Sequence, residues 1–131
     1  MWMLDTNICS YIIREHPISA SRTFASYAAG QLFISTVVLA ELYFGAAKHP
    51  RNQVIREQID KFTNQLSILD WDQHAADDYG RLRTHLESKG RSIGNLDIMI
   101  AAHARSLDAI LVTNNTKHFS MVPGLKLENW I

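Results

Sequence analysis

The stretch MWMLDTN, residues 1–7, runs four apolar side chains, Met1 to Leu4, up to a carboxylate at Asp5. Four consecutive apolar residues read as a short strand covered on both faces, the kind found inside a parallel sheet. An acid at the tip of such a strand does not suit a core, because an unpaired buried carboxylate is expensive. It does suit the carboxyl edge of an α/β sheet, where functional groups gather. Thr6 and Asn7 follow, and the apolar pattern resumes at Ile8.

The same alternation continues outward from this stretch. The pattern predicts a helix over 6–14, stopped before Pro17, and a second over 18–28, broken at Gly30. LFIS (32–35) reads as strand two. Ser35 and Thr36 offer caps for a helix over 37–48, which ends near His49-Pro50. An amphipathic segment spans 51–65, LSILD (66–70) is a third strand, and 72–88 is helical up to Gly90. Asn95 can cap a helix over 96–107, AILVT (109–113) is a fourth strand, and LKLEN (125–129) is a candidate fifth. Strands alternating with helices, each strand apolar on both faces, predict an α/β fold with a parallel sheet covered on both sides. Asp5, Ser35 and Thr113 each fall at the carboxyl end of a predicted strand.

At 131 residues and 47% apolar composition, the chain is expected to form one compact domain over 1–131. The formal charge is zero, so no global basic field advertises a nucleic acid; any such partner must be held by local patches or a metal. A single cysteine, Cys9, excludes an intrachain disulfide and fits a reducing compartment. No apolar run approaches the roughly 18–20 residues of a membrane span, and no signal-peptide pattern is present. A soluble, cytoplasmic protein is expected.

Two further acids stand out. Glu41 lies inside VVLAELYFGAA (37–47), and at helical spacing it shares a face with Val37, Val38, Phe44 and Gly45. A surface glutamate paired with Lys48 explains it as well as a functional one does. Asp97 opens LDIMIAAHARSL (96–107), where the helix dipole alone favours an acid by ~0.3–1 kcal/mol. Asp5 itself could be only a helix cap. Together the three are harder to dismiss, since all can reach one rim of one sheet. Like charges gathered there would repel unless a cation compensates. Hard oxygen donors suit Mg²⁺ or Mn²⁺, and such ions activate water for displacement at phosphorus. The chemistry implied is phosphoester or phosphodiester hydrolysis.

LDTNICSYII with Asp5, STVVLAELYFG with Glu41, SIGNLDIMIAAHA with Asp97 and LVTNNTKHF with Thr113 resemble the PIN-domain ribonucleases, and more narrowly the VapC toxins of bacterial toxin–antitoxin pairs. The resemblance runs in order along nearly the whole chain and includes the closing GLKLENW. It implies a PIN-like three-layer fold with a mostly parallel central sheet of four to five strands flanked by helices. It also implies an Mg²⁺- or Mn²⁺-dependent endoribonuclease acting on tRNA, with the anticodon stem-loop of initiator tRNA as the narrower expectation. A cognate VapB antitoxin and a homodimer are implied as partners. By the same resemblance Asp5, Glu41 and Asp97 form the acidic cluster, Thr6 and Asn7 flank its first member, and Thr113 supplies an orienting hydroxyl. Where the family often has a fourth acid, this chain reads Asn114 and Asn115; Asn115 is the expected equivalent, able to ligate through a carbonyl or a water without adding charge.

RNA would be held by local basic groups: Arg81, Arg83, Lys89 and Arg91 leading toward Asp97, and Lys48, His49 and Arg51 past Glu41. Each of these is equally an ordinary solvated charge. His103 falls on the Leu96, Met99, Ile100, Leu107 stripe and reads as a hydrogen-bonded core histidine. Trp2, Tyr43, Phe44 and Trp130 read as packing residues, some of which could line a groove for a partner helix. Two alternatives compete with a nuclease. A haloacid-dehalogenase-like phosphatase also opens with an acid after a strand, but it needs a second acid where Asn7 stands. A non-catalytic RNA- or protein-binding module would need none of the acids.

Overall fold

In the computed structural model, which describes residues 1–131, five strands form one wholly parallel sheet in the order β3-β2-β1-β4-β5. The strands are β1 (Trp2–Leu4), β2 (Leu32–Ser35), β3 (Ser67–Leu69), β4 (Ile110–Val112) and β5 (Lys126–Glu128). Helices α1 (Thr6–Arg14), α2 (Ile18–Ser26), α3 (Thr36–Ala47), α4 (Asn52–Thr63), α5 (Gln73–Ser88), α6 (Asn95–Ser106) and α7 (Thr116–Phe119) connect and flank them. The α/β class, the five strands and the all-parallel pairing follow the sequence pattern.

The strand order places the site. β1 is central; the chain builds outward through β2 to β3, then returns to lay β4 on the other side of β1. The order reverses between β1 and β4, so a crevice opens there at the carboxyl ends of the strands. Leu4 pairs with Val112, which makes Asp5 and Thr113 the first residues to leave the sheet side by side. The Asp5 amide still donates to the Val112 carbonyl at 3.0 Å, so the backbone is fixed up to the acid. Beneath it Met3, Leu4, Ile34, Leu111 and Val112 are fully buried, each fully covered side chain stabilising by ~1.5–3 kcal/mol.

Several boundaries differ from expectation, each for a local reason. α6 starts one residue early: Gly94 at φ 86° is the cap position, and Asn95 is already helical. A positive φ is easy for glycine, so Gly94 takes the turn that asparagine was expected to take. α2 ends at Ser26 and a short 3₁₀ turn, Ala29–Gln31, fills the remainder. The edge strands are not apolar on both faces; Ser67, Ile68 and Lys126 are exposed because each edge has neighbours on one side only.

Trp2 and Trp130 do pack, with Tyr27, around Glu128. Ring centroids lie 4.8 Å apart for Trp2–Tyr27 and 5.2 Å for Tyr27–Trp130. The Glu128 carboxylate accepts from Trp2 Nε1 at 2.7 Å, from the Tyr27 hydroxyl at 3.2 Å and from Trp130 Nε1 at 3.3 Å. Phe44 does not pack as expected. It is 66% exposed: α3 is apolar on every side, Val37, Val38, Leu42 and Ala46 are buried, Leu39 and Tyr43 pack against the core in part, and Phe44 is left outside.

Candidate functional site

Asp5 is 6% exposed and caps α1, its Oδ1 accepting from the Ile8 amide at 2.9 Å. The cap explanation is therefore correct but incomplete, because it uses one oxygen and supplies no cation. Burial pushes the Asp5 carboxyl up from an ordinary 3.8 to about 6. A hydrogen bond with the Thr113 side chain and the Ile8 amide pull it down, while the charges of Asp97 and Glu41 push it further up. Asp5 thus feels both of the other acids across the crevice. Thr113 is fully buried and its hydroxyl also accepts from the Asn115 amide at 2.9 Å, so its orientation is set by the loop after β4.

Glu41 is half-buried on α3 and accepts at 2.6 Å from the hydroxyl of Thr6, the residue after Asp5. Thr6 therefore joins the first and second acids directly. The expected partner Lys48 is elsewhere, its ammonium 4.8 Å from the centre of the Phe44 ring. A groove of about 410 Å³ runs from Thr6, Asn7 and Glu41 past Arg14 to His49 and Gln58, open on the side of the second acid.

Asp97 stands on the first turn of α6, half-buried, and burial raises its pKa while the His118 ring lowers it. Its Oδ2 lies 3.2 Å from His118 Nε2. Sequence reasoning missed His118. It lies on a four-residue helix too short to show periodicity, and its one visible sign was an imidazole close behind the Thr113 loop. Asn115 is exposed at the cap position of that helix, contributing its backbone amide to Thr113 and no side-chain cap bond.

The basic groups divide. Arg81 is paired with Asp77 at 2.8 Å, and Arg83 with Glu87 at 3.0 Å and the Tyr79 hydroxyl at 2.9 Å, so both are occupied on their own helix. Lys89 and Arg91 sit exposed where α5 gives way to the loop before α6, and Arg51 is exposed at the start of α4. His103 is buried as expected, but its Nδ1 has no hydrogen-bond partner, which corrects the satisfied-core reading.

No three His, Cys, Asp or Glu side chains close into a ready-made metal cage. An open rim of carboxylates, hydroxyls and an amide is nevertheless the donor set that Mg²⁺ or Mn²⁺ takes. Such ions keep most of their waters and bind through one or two carboxylates together with phosphate oxygens. The donors fit the ion in kind.

A parallel sheet with acids at its switch point defines a class of protein, and the comparisons agree. The family model described as "PIN domain" matches residues 2–125, and the chain belongs to that family. Within it the chain groups with the VapC ribonucleases. It is 44% identical over 131 residues to "Ribonuclease VapC2" of Rickettsia felis, covering 99% of this chain and 98% of that relative. It is 42% identical over 129 residues to "tRNA(fMet)-specific endonuclease VapC" of Shigella flexneri, covering 98% and 97%. Among solved structures, that of VapBC2 from Rickettsia felis bound to a DNA fragment from their promoter superposes with a TM-score of 0.94 over 99% of this chain and 98% of that one. Membership sets the phosphatase alternative aside.

Proposed function

We propose that this chain is a divalent-metal-dependent endoribonuclease of the VapC kind, cutting tRNA and held in check by a VapB antitoxin. The observation that carries the metal reading is Asp5: a nearly inaccessible carboxylate with two acids acting on it and only neutral hydrogen-bond donors of its own. A protein cation at that place would settle the charge; its absence leaves the role to an ion from solution. Bound among Asp5, Glu41 and Asp97, Mg²⁺ or Mn²⁺ would polarise a scissile phosphate and lower the pKa of a water.

The chain's own residues have distinct tasks. Asp5 offers the carboxylate least accessible to competing water, Thr113 holds its orientation, and Thr6 fixes Glu41 relative to it. Asp97 completes the rim from α6. Asn115, near that rim, could add a neutral oxygen. Lys48, Arg51, Lys89 and Arg91 are placed to contact phosphates flanking the cut, with Arg81 and Arg83 available only if their helical pairs open. The Shigella relative's printed substrate supports tRNA, and initiator tRNA first among candidates. The Rickettsia complex supports a VapB partner, and the family resemblance supports a homodimer.

The decisive experiment incubates the full chain with total tRNA, with and without Mg²⁺, and maps new RNA ends. One defined cut that EDTA prevents is the expected result. Cutting that persists in EDTA would end the metal reading, and no cutting in any metal would leave only a binding module.

A further inference from the structure

We propose that His118 is a positioning residue for Asp97, its imidazole anchored to the main chain at Ile93 and set against the carboxylate. This rests on the metal-site reading above. His118 Nε2 lies 2.8 Å from the Ile93 carbonyl oxygen and 3.2 Å from Asp97 Oδ2. Both neighbours are acceptors, which assigns the proton to Nε2; the N–H bonds the Ile93 carbonyl, and the Asp97 carboxylate lies beside it at ion-pair distance.

The start of α6 shows why Asp97 needs such a partner. Asp97 is the third helical residue, the place from which an acid ordinarily folds back to bond the cap residue's amide. Here the Gly94 amide donates to Ser92 Oγ at 3.3 Å instead, and α6 has no side-chain cap. The Asp97 carboxylate is therefore free of capping, and without His118 its rotamer would be held by no side chain. His118 also fastens the loop before α6 by its carbonyl at Ile93, a residue buried at 3% exposure.

His118 is itself well placed to be stiff. Its amide donates to the Asn115 carbonyl at 3.1 Å, its ring meets Phe119 edge-on at 5.5 Å, and Phe119 is 1% exposed. One short segment after β4 thus steadies two acids: Thr113 holds Asp5, and five residues later His118 holds Asp97. Partners of this kind behind metal ligands typically change metal affinity by about 10- to 100-fold when removed.

The test uses the full chain with Mn²⁺ as probe, its binding followed by the electron paramagnetic resonance of free Mn²⁺. His118→Leu keeps bulk and removes the donor, and His118→Gln keeps an N–H near the Nε2 position. His118→Leu should weaken Mn²⁺ binding about 10- to 100-fold, and His118→Gln should recover most of it. Thermal melts in EDTA should be alike for the two variants, which a merely structural role would not give. Parent-like binding by His118→Leu, or equal weakening by both variants, would overturn the proposal. Asp97→Asn separates the two readings. If it loses Mn²⁺ while His118→Leu does not, only the positioning role fails. If the parent binds no Mn²⁺, both fail.

Discussion

Asp5 and Asp78 are almost equally buried, at 6% and 8% exposure, and the molecule treats them in opposite ways. Asp78, on α5, receives Arg105 of α6 on both oxygens, at 2.8 and 3.1 Å, and Arg105 also reaches the Pro123 carbonyl at 3.0 Å. This is a two-pronged ion pair that fastens two helices. Asp5 receives an amide, a hydroxyl and no cation, and its pKa climbs to about 6. Where an acid serves the fold, the chain supplies the counter-charge itself. At the crevice it withholds one, and the fold bears the strain.

The largest effect should come from removing the strained acid. Asp5→Ala or Asp97→Ala is expected to reduce RNA cleavage by ~10³-fold or more, the scale of losing several kcal/mol of metal-borne stabilisation. Circular dichroism should show the fold intact, and a variant that cuts as fast as the parent would break the comparison at its functional end. Next in size, Asp78→Ala leaves Arg105 partly buried and unpaired. It should lower stability by about 3 kcal/mol in urea titration, the low end for a buried pair because some water reaches this one. Cleavage per folded molecule should not change.

Asp5→Asn should do the reverse in EDTA, raising stability while abolishing cleavage. A pKa lifted from 3.8 to about 6 means that ionised Asp5 destabilises the metal-free fold by up to ~3 kcal/mol. The folded state holds the Asp5 proton more tightly than the unfolded one. Metal-free stability due to this group is therefore fully present below pH 3.8 and is lost as pH rises through about 6. Asp5→Asn should flatten that part of the stability–pH curve; an unchanged curve would show that Asp5 is not strained. Thr113→Val, which deletes a buried donor and acceptor, should cost about 1 kcal/mol and move the acid limb of the curve to higher pH. The smallest effects belong to single cations: Lys89→Ala or Arg91→Ala should lower RNA affinity across sequences and reduce the salt slope by about one each if they contact phosphate.

Asp5 and Thr113 were legible because they sit at the ends of apolar strands, where a change from apolar to polar marks the rim. Glu41 was legible as an anomaly only. On a helix apolar on every side, periodicity has no phase, and the same lack of phase sent Phe44 to the core when it lies in water. The Asn95 cap failed because a glycine one residue earlier could take a backbone angle that needs no side-chain cap. Asp78 drew no notice in DDYGR, since an acid on a charged helix looks solvated until Arg105, 27 residues later, is seen to meet it. His118 was nearly as hidden, on a four-residue helix with no periodicity to read and a partner 21 residues away. A contact between elements distant along the chain leaves no local trace.

The strand order also bears on timing. Because β4 is inserted beside β1 only after β2 and β3 have been made, the first acid waits for a neighbour made long after it. A nascent polypeptide emerging from the ribosome would hold Asp5 and Glu41 without Asp97, Thr113 or His118. The rim of the crevice is thereby completed late, when α6, β4 and α7 join the strands made before them.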